Sequence, residues 1–194
     1  TFTPTLNFNS NFTIATSVSD GALAVTGVKT MTGTPVNDAP AASNLSAAET
    51  YTEDTSLNLI DIVASDVDSA SVTATLTLSN VAAGSLNTGT SGSVTSTFAA
   101  GVWTASGAIA DVNTLLAGVT FTPTLNFNSN FTIATSVSDG ALAVTGVKTM
   151  TGTPVNDAPA ASNLSAAETY TEDTSLNLID IVASDVDSAS VTAT

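Results

Sequence analysis

No cysteine, histidine or arginine occurs among the 194 residues. Without cysteine there is no disulfide bracing and no thiol chemistry, and a domain of ordinary size builds its core without either. Without histidine or cysteine, the common nucleophile–base pairs of hydrolases lack their members. A carboxylate pair for glycoside hydrolysis remains formally open, but the acidic residues fall at a domain junction, not in a cleft. The chain therefore reads as non-enzymatic. Basic residues are nearly missing too: Lys29 and Lys148 face 17 acidic residues, for a net charge of −15 and an isoelectric point near 4.1. Phosphate recognition depends on Lys and Arg, so nucleic acid is excluded as a partner. Anionic membrane surfaces repel such a chain. No apolar run approaches the roughly 18 residues of a spanning helix, so direct membrane insertion is not expected. Cations are the natural partners.

What is present is repetition. Residues 1–75 recur without substitution as residues 120–194. The period of 119 residues is too long for a solenoid unit of roughly 20–50 residues and suits a whole domain. Gly-Thr-Pro-Val-Asn-Asp-Ala-Pro at Gly33–Pro40 and again at Gly152–Pro159 marks the boundary. Paired prolines remove backbone donors and favour extended chain, which suits a short, stiff connector. This phase assigns 1–35 to the end of a preceding repeat, 36–154 to a complete domain and 155–194 to the start of a following one. The termini read as cuts through a longer polypeptide. The two end pieces together lack the 44 positions 76–119, so pairing them between chains cannot rebuild a whole domain. Residues 36–154 hold nine acidic residues and one lysine, a charge of −8.

Ser, Thr and Asn dominate the polar set, which favours strands over helices. Val72, Ala74, Leu76 and Leu78 alternate with polar residues, as do Phe131, Ile133, Thr135 and Val137. Ser138-Asp139-Gly140 supplies a turn into Leu142 and Val144. Val94–Phe98 and Val102–Ala105 predict a second hairpin around Ala99-Ala100-Gly101. Leu57, Leu59 and Ile62 mark an earlier strand, and Thr120–Thr124 a short one limited by Pro123. Ile109, Val112, Leu115, Leu116 and Val119 instead have helical spacing, with Asp111 in the first turn and Gly118 at the stop. Short strands with turn signals and one short helix predict an all-β fold: antiparallel β-sandwich domains of Ig-like or cadherin-like type, linked end to end.

The string Thr-Pro-Val-Asn-Asp-Ala-Pro, then Thr52-Glu53-Asp54-Thr55, then Asp66-Val67-Asp68, resembles the cadherin-like repeats of giant bacterial surface adhesins. Ile109-Ala110-Asp111-Val112-Asn113, Phe121-Thr122-Pro123, Asn126-Phe127-Asn128 and Val137-Ser138-Asp139-Gly140 extend the resemblance over the whole repeat. Each motif is short, and their shared order carries the likeness. It is similar to the extender region of RTX-type adhesins of Gram-negative bacteria. The resemblance implies a Ca²⁺-rigidified sandwich, export by type I secretion, a place on the extracellular bacterial surface, and a role in cell adhesion and biofilm through a tip held away from the cell.

Calcium also has a basis in the residues themselves. Ca²⁺ takes six to eight oxygen ligands from carboxylates, Asn side chains and carbonyls. Asn37 and Asp38 lie in the first connector, Glu53 precedes the Leu57 strand, and Asp66 and Asp68 follow it. Asp20 occupies the turn of the preceding repeat's last hairpin. The same set recurs at the second junction as Asn156, Asp157, Glu172, Asp185 and Asp187, with Asp139 in the place of Asp20. Plainer roles stand beside these. Asp66-Val67-Asp68 can be a solvated turn, and it lacks the Gly and distant Glu of an EF-hand. Asp139 can be a hairpin residue, Asn37-Asp38 a turn cap, and Glu49, Glu53, Asp54 and Asp61 exposed strand-end charges. The Asn-X-Ser/Thr sequons at Asn11, Asn44, Asn130 and Asn163 read as chance matches, and Trp103 as a core or edge residue.

Two functions follow. The first is a structural extender: a monomeric string of identical repeats whose partners are calcium ions and the neighbouring repeats. The alternative is a glycan- or ligand-binding module acting by avidity, which one Trp and two Tyr support poorly.

Overall fold

A computed structural model describes residues 1–194. In chain order the strands are β1 (Phe12–Ser19), β2 (Ala24–Met31), β3 (Ala41–Ala42), β4 (Glu49–Thr52), β5 (Leu57–Asn58), β6 (Ala64–Ser65), β7 (Ser71–Leu78), β8 (Gly84–Leu86), β9 (Thr90–Ser91), β10 (Val94–Thr95), β11 (Thr97–Ala99) and β12 (Val102–Ala108). Helix α1 (Ile109–Ala117) follows, then β13 (Thr120–Pro123), β14 (Phe131–Ser138), β15 (Ala143–Thr153), β16 (Ala160–Ser162) and β17 (Val182–Ser184).

Strands β3 to β15 form a sandwich. One layer is the six-stranded sheet β11-β12-β7-β14-β15-β4; the other is built from β5-β13-β8 and the small pair β3-β6. Period-two alternation puts Val72, Ala74, Leu76 and Leu78 of β7 inward, beside Ile133 and Val137 of β14 and Trp103 of β12. The facing layer contributes Leu59, Ile62, Leu86 and Phe121, and α1 closes the flank with Val112 and Leu116. Burying each such side chain stabilises the fold by about 1.5–3 kcal/mol. The helix ends at Gly118, whose N–H donates to Leu115 O at 3.1 Å, while Val119 N donates to Leu116 O at 3.4 Å. Ala100 (φ 51°) and Gly101 (φ 79°) both adopt the left-handed conformation that a two-residue hairpin loop demands, and join β11 to β12.

Three details depart from expectation. The sheet is not wholly antiparallel, because β4 runs parallel to β15, from Glu49 beside Met150 to Thr52 beside Thr153. The 94–98 segment splits: Val94–Thr95 pairs with Thr90–Ser91, Ser96 turns inward, and Thr97–Ala99 pairs with β12. Only Leu57–Asn58 of the early apolar run is strand, although Leu59 and Ile62 are buried beyond it.

A fourth departure concerns charge. Glu49 and Glu53 are buried rather than exposed strand-end residues. Lys148 Nζ, itself fully buried, lies 2.8 Å from Glu49 Oε1 and donates to Ile60 O at 3.0 Å. Glu49 Oε1 also accepts from Ile60 N at 2.8 Å. Desolvation is therefore offset by hydrogen bonds to both ions, the condition under which an interior ion pair persists.

The end segments hold only what their own residues can make. Strands β1 and β2 form a hairpin with the register of β14 and β15, from Phe12 opposite Met31 to Ser19 opposite Ala24. Strands β16 and β17 pair as β3 and β6 do. Both segments are largely exposed.

Candidate cation site at the domain junctions

Each connector is wired to the domain that follows it. Asp38 N donates to Asp68 Oδ2 at 2.8 Å, and Asp157 N to Asp187 Oδ2 at 2.6 Å. Asp66 Oδ1 accepts from the N–H groups of Asp68 and Ser69 at 2.8 and 2.7 Å. Asp185 Oδ1 does the same for Asp187 and Ser188 at 2.9 and 2.7 Å. These are Asx turns, so the solvated-turn reading of Asp66-Val67-Asp68 captures half of each carboxylate. Two carboxylate oxygens at the junctions are left without partners. Asp66 Oδ2 is closed from solvent without a hydrogen-bond partner, and so is Asp157 Oδ2. A carboxylate oxygen in that position costs free energy unless a cation or donor meets it.

At the second junction the preceding domain contributes too. Glu53 Oε1 accepts from Val155 N, and Glu53 Oε2 from Asn128 Nδ2 at 3.0 Å. Asp54 lies one residue on, its Oδ1 taken by Asn126 N at 2.9 Å. Burial, then the charges of Asp187, Asp54, Glu53 and Asp185, hold the Asp157 carboxyl above its ordinary value. Five acidic residues from three segments thus bear on one connector. No lysine joins them: Lys148 is buried against Glu49, and Lys29 is exposed on β2.

The acidic residues are distributed differently between the two junctions than their order in sequence suggests. Glu53 was expected beside Asp38, Asp66 and Asp68. It lies instead at the opposite end of its domain, because β4 runs with β15 and carries it to where Thr153 leaves, Glu53 N donating to Thr153 O at 3.1 Å. Glu172, its copy, is exposed in a stretch that forms no strand, with no counterpart of β15 for it to follow. Asp139 was expected beside Asp157. A hairpin places its tip one strand length from the connector that follows its second strand, so Asp139 meets the first connector, where Asn37 Nδ2 donates to Asp139 Oδ2 at 2.7 Å. Asp20 stands at the far tip of the free hairpin, bound to its own turn at Ala22 N and Leu23 N. Backbone N–H donors at Leu23 and Leu142 are the main reason that the Asp20 and Asp139 carboxyls fall below their ordinary value. Asn37 and Asn156 brace their connectors through Asp38 O and Asp157 O at 3.2 and 3.1 Å.

Asn128 and Asp54 belong to the second junction but were not singled out as ligands. The Asn126-Phe127-Asn128 motif was the available signal. The donor set, all oxygen, suits a hard cation such as Ca²⁺. No three acidic side chains converge closely enough to hold a metal ion as they stand.

No protein-family model matches the chain, and no curated protein matches it in sequence. Among solved structures, it is similar to protocadherin gamma B2 extracellular cadherin domains 1–5, at 17% identity and a TM-score of 0.44. The match covers 91% of this chain and 32% of that one, so this chain spans about a third of that protein's length.

Proposed function

We propose that the repeat is a structural extender of a large bacterial surface adhesin, stiffened by Ca²⁺ at its connectors. Its place is the extracellular cell surface, and it projects an adhesive tip after type I secretion. The observation that carries this reading is the pair of closed-off, unpartnered carboxylate oxygens, Asp66 Oδ2 and Asp157 Oδ2, one at each junction of an acidic chain. Glu53, Asn156, Asp157, Asp185 and Asp187 would hold the ion at the second junction, and Asn37, Asp38, Asp66 and Asp68 at the first. Bound there, Ca²⁺ supplies the charge that lets carboxylates of adjoining repeats approach. Two domains joined by a short connector otherwise move freely. Identical repeats in series add length and no new surface, which suits a spacer. The glycan-binding alternative loses its aromatic candidate, since Trp103 is 1% exposed and its Nε1 donates to Asn87 O at 3.0 Å.

Small-angle scattering and thermal unfolding of the whole chain, in calcium and in chelator, test this. Calcium is expected to lengthen and narrow the scattering envelope and to raise the melting temperature, and Asp187→Asn to blunt both effects. Identical curves in calcium and chelator would overturn the reading.

A further inference from the structure

Lys148 carries the one amine in the interior of the sandwich, and that amine touches a carboxylate. Its side chain is fully closed from solvent, and that of Glu49 is 3% exposed. Nζ lies 2.8 Å from Glu49 Oε1, so the carboxyl carbon Cδ is at most one C–O bond further away. That is close to the roughly 3–3.5 Å of a near-attack arrangement. The other contacts of the pair come from a single residue. Ile60 O accepts from Nζ at 3.0 Å, and Ile60 N donates to Oε1 at 2.8 Å. Glu49 Oε2 takes no hydrogen bond from the protein and is not closed off from water.

We propose that this contact matures into a covalent isopeptide bond between Glu49 Cδ and Lys148 Nζ. Nζ first passes a proton to Oε2, which leaves a neutral amine beside a neutral acid. The amine lone pair attacks Cδ and forms the C–N bond, while the C=O electrons move onto Oε1. There the Ile60 N–H meets the developing negative charge, as a preorganised donor does in an oxyanion hole. A second proton then passes from nitrogen to Oε2, the Cδ–Oε2 bond breaks, water leaves, and the carbonyl to Oε1 re-forms. One hydrogen stays on nitrogen. The step uses no oxidant, reductant or cofactor, and water is its only by-product.

Two features favour the product. The fold holds amine and carboxyl together, and effective concentrations for well-oriented groups reach about 10⁵–10⁸ M. The amide also replaces two interior charges, whose desolvation is costly, and keeps both bonds to Ile60: its N–H to Ile60 O and its oxygen to Ile60 N. Until it forms, the ion pair alone joins the two side chains. The placement gives the bond a consequence. Strands β4 and β15 run side by side in parallel, and Glu49 and Lys148 stand 99 positions apart, so the bond closes most of the sandwich into one covalent loop. Tension entering through the connectors then crosses from β4 to β15 without extending the residues between. That consequence rests on the extender reading; the bond does not, and it needs no calcium.

Lys29 and Lys148 are the only sites for trypsin in a chain without arginine. Digested in denaturant, the unbonded chain gives fragments 1–29, 30–148 and 149–194. An acylated Lys148 is no longer cut, which leaves 1–29 and 30–194. The test is to refold the whole chain in chelator, hold it for several weeks, and follow intact mass and trypsin fragments. A species lighter by one water should accumulate in step with loss of the cut at Lys148. A parallel sample held unfolded in guanidinium chloride should keep its full mass and all three fragments. Lys148→Arg keeps a cation beside Glu49 but no amine to acylate, and should keep its full mass and its cut at position 148. Full mass and three fragments throughout in the refolded, unaltered chain would overturn the proposal. So would equal accumulation of the lighter species in denaturant. A water lost while Lys148 remains cleavable would overturn it as well, since the loss would then lie elsewhere, as in a succinimide at Asp139-Gly140.

Discussion

Lys148 and Glu49 stand 99 positions apart in sequence and 2.8 Å apart in space. Lys148→Met leaves Glu49 buried with only a backbone N–H for company. The expected loss is about 3–5 kcal/mol, read as a lower urea midpoint. Adding Glu49→Gln should return most of it, because the amide still accepts from Ile60 N and carries no charge. A loss below about 1 kcal/mol for the single variant, the range of exposed pairs, would contradict the burial. Asp157 supports a prediction of opposite sign. Its carboxyl is raised by burial and by Asp187, Asp54, Glu53 and Asp185. A group whose folded value is raised holds its proton more tightly folded than unfolded, so in chelator the junction gains stability as pH falls through that value. Carbon-13 NMR of the side chain should show Asp157 titrating above 3.8 in chelator and below it when calcium is bound. Asp139 runs the other way. Its lowered carboxyl supports the hairpin tip at neutral pH and loses that support as pH falls through the lowered value.

Among the elements, β15 needs a residue without a side chain near its end. A Cβ on Gly152 would lie 2.2 Å from Asn128 O and 2.8 Å from Tyr51 Oη. Gly152→Ala must therefore push aside the 124–130 loop, which carries Asn128 to Glu53, and disturb the Tyr51 bond to Ser129 O. Overpacking of this kind costs about 1–3 kcal/mol. It should lower the melting temperature, and in the same variant weaken calcium binding at the second junction, measured by titration calorimetry. Unchanged values for both would show that the loop yields freely. The same elements show how far sequence alone reaches. Long alternating runs such as β7 and β14 were legible because a single periodicity decides which face is buried. Helix α1 was legible because Ile109, Val112 and Leu116 break that periodicity within a chain of strands. Strand β4 was not: four residues with Glu49 pointing inward look like an exposed edge until the distant Lys148 is known. The acidic residues were grouped by their order along the chain, which does not show that Glu53 and Asp139 stand at different connectors. Dividing them requires knowing that β4 runs parallel to β15, and that a hairpin tip faces away from the connector that follows it.

In the whole molecule, one sequence exists in two environments at once. Residues 12–31 and 131–150 are identical, yet the first forms a bare hairpin and the second lies inside a six-stranded sheet. Isolated two-stranded hairpins are marginal in water, while core strands open only with the domain. Hydrogen exchange should therefore split every peptide from this stretch into two populations of equal amplitude, one fast and one slow, although the two copies have the same mass. A single envelope in dilute chelator would mean that context does not decide stability here. Adding calcium to a dilute sample should leave the hairpin fast and instead slow the connector amides at Asp38 and Asp157, which the Asp68 and Asp187 carboxylates already hold. Slower exchange at those amides with the hairpin unchanged would place the effect of calcium at the connectors and not in the strands.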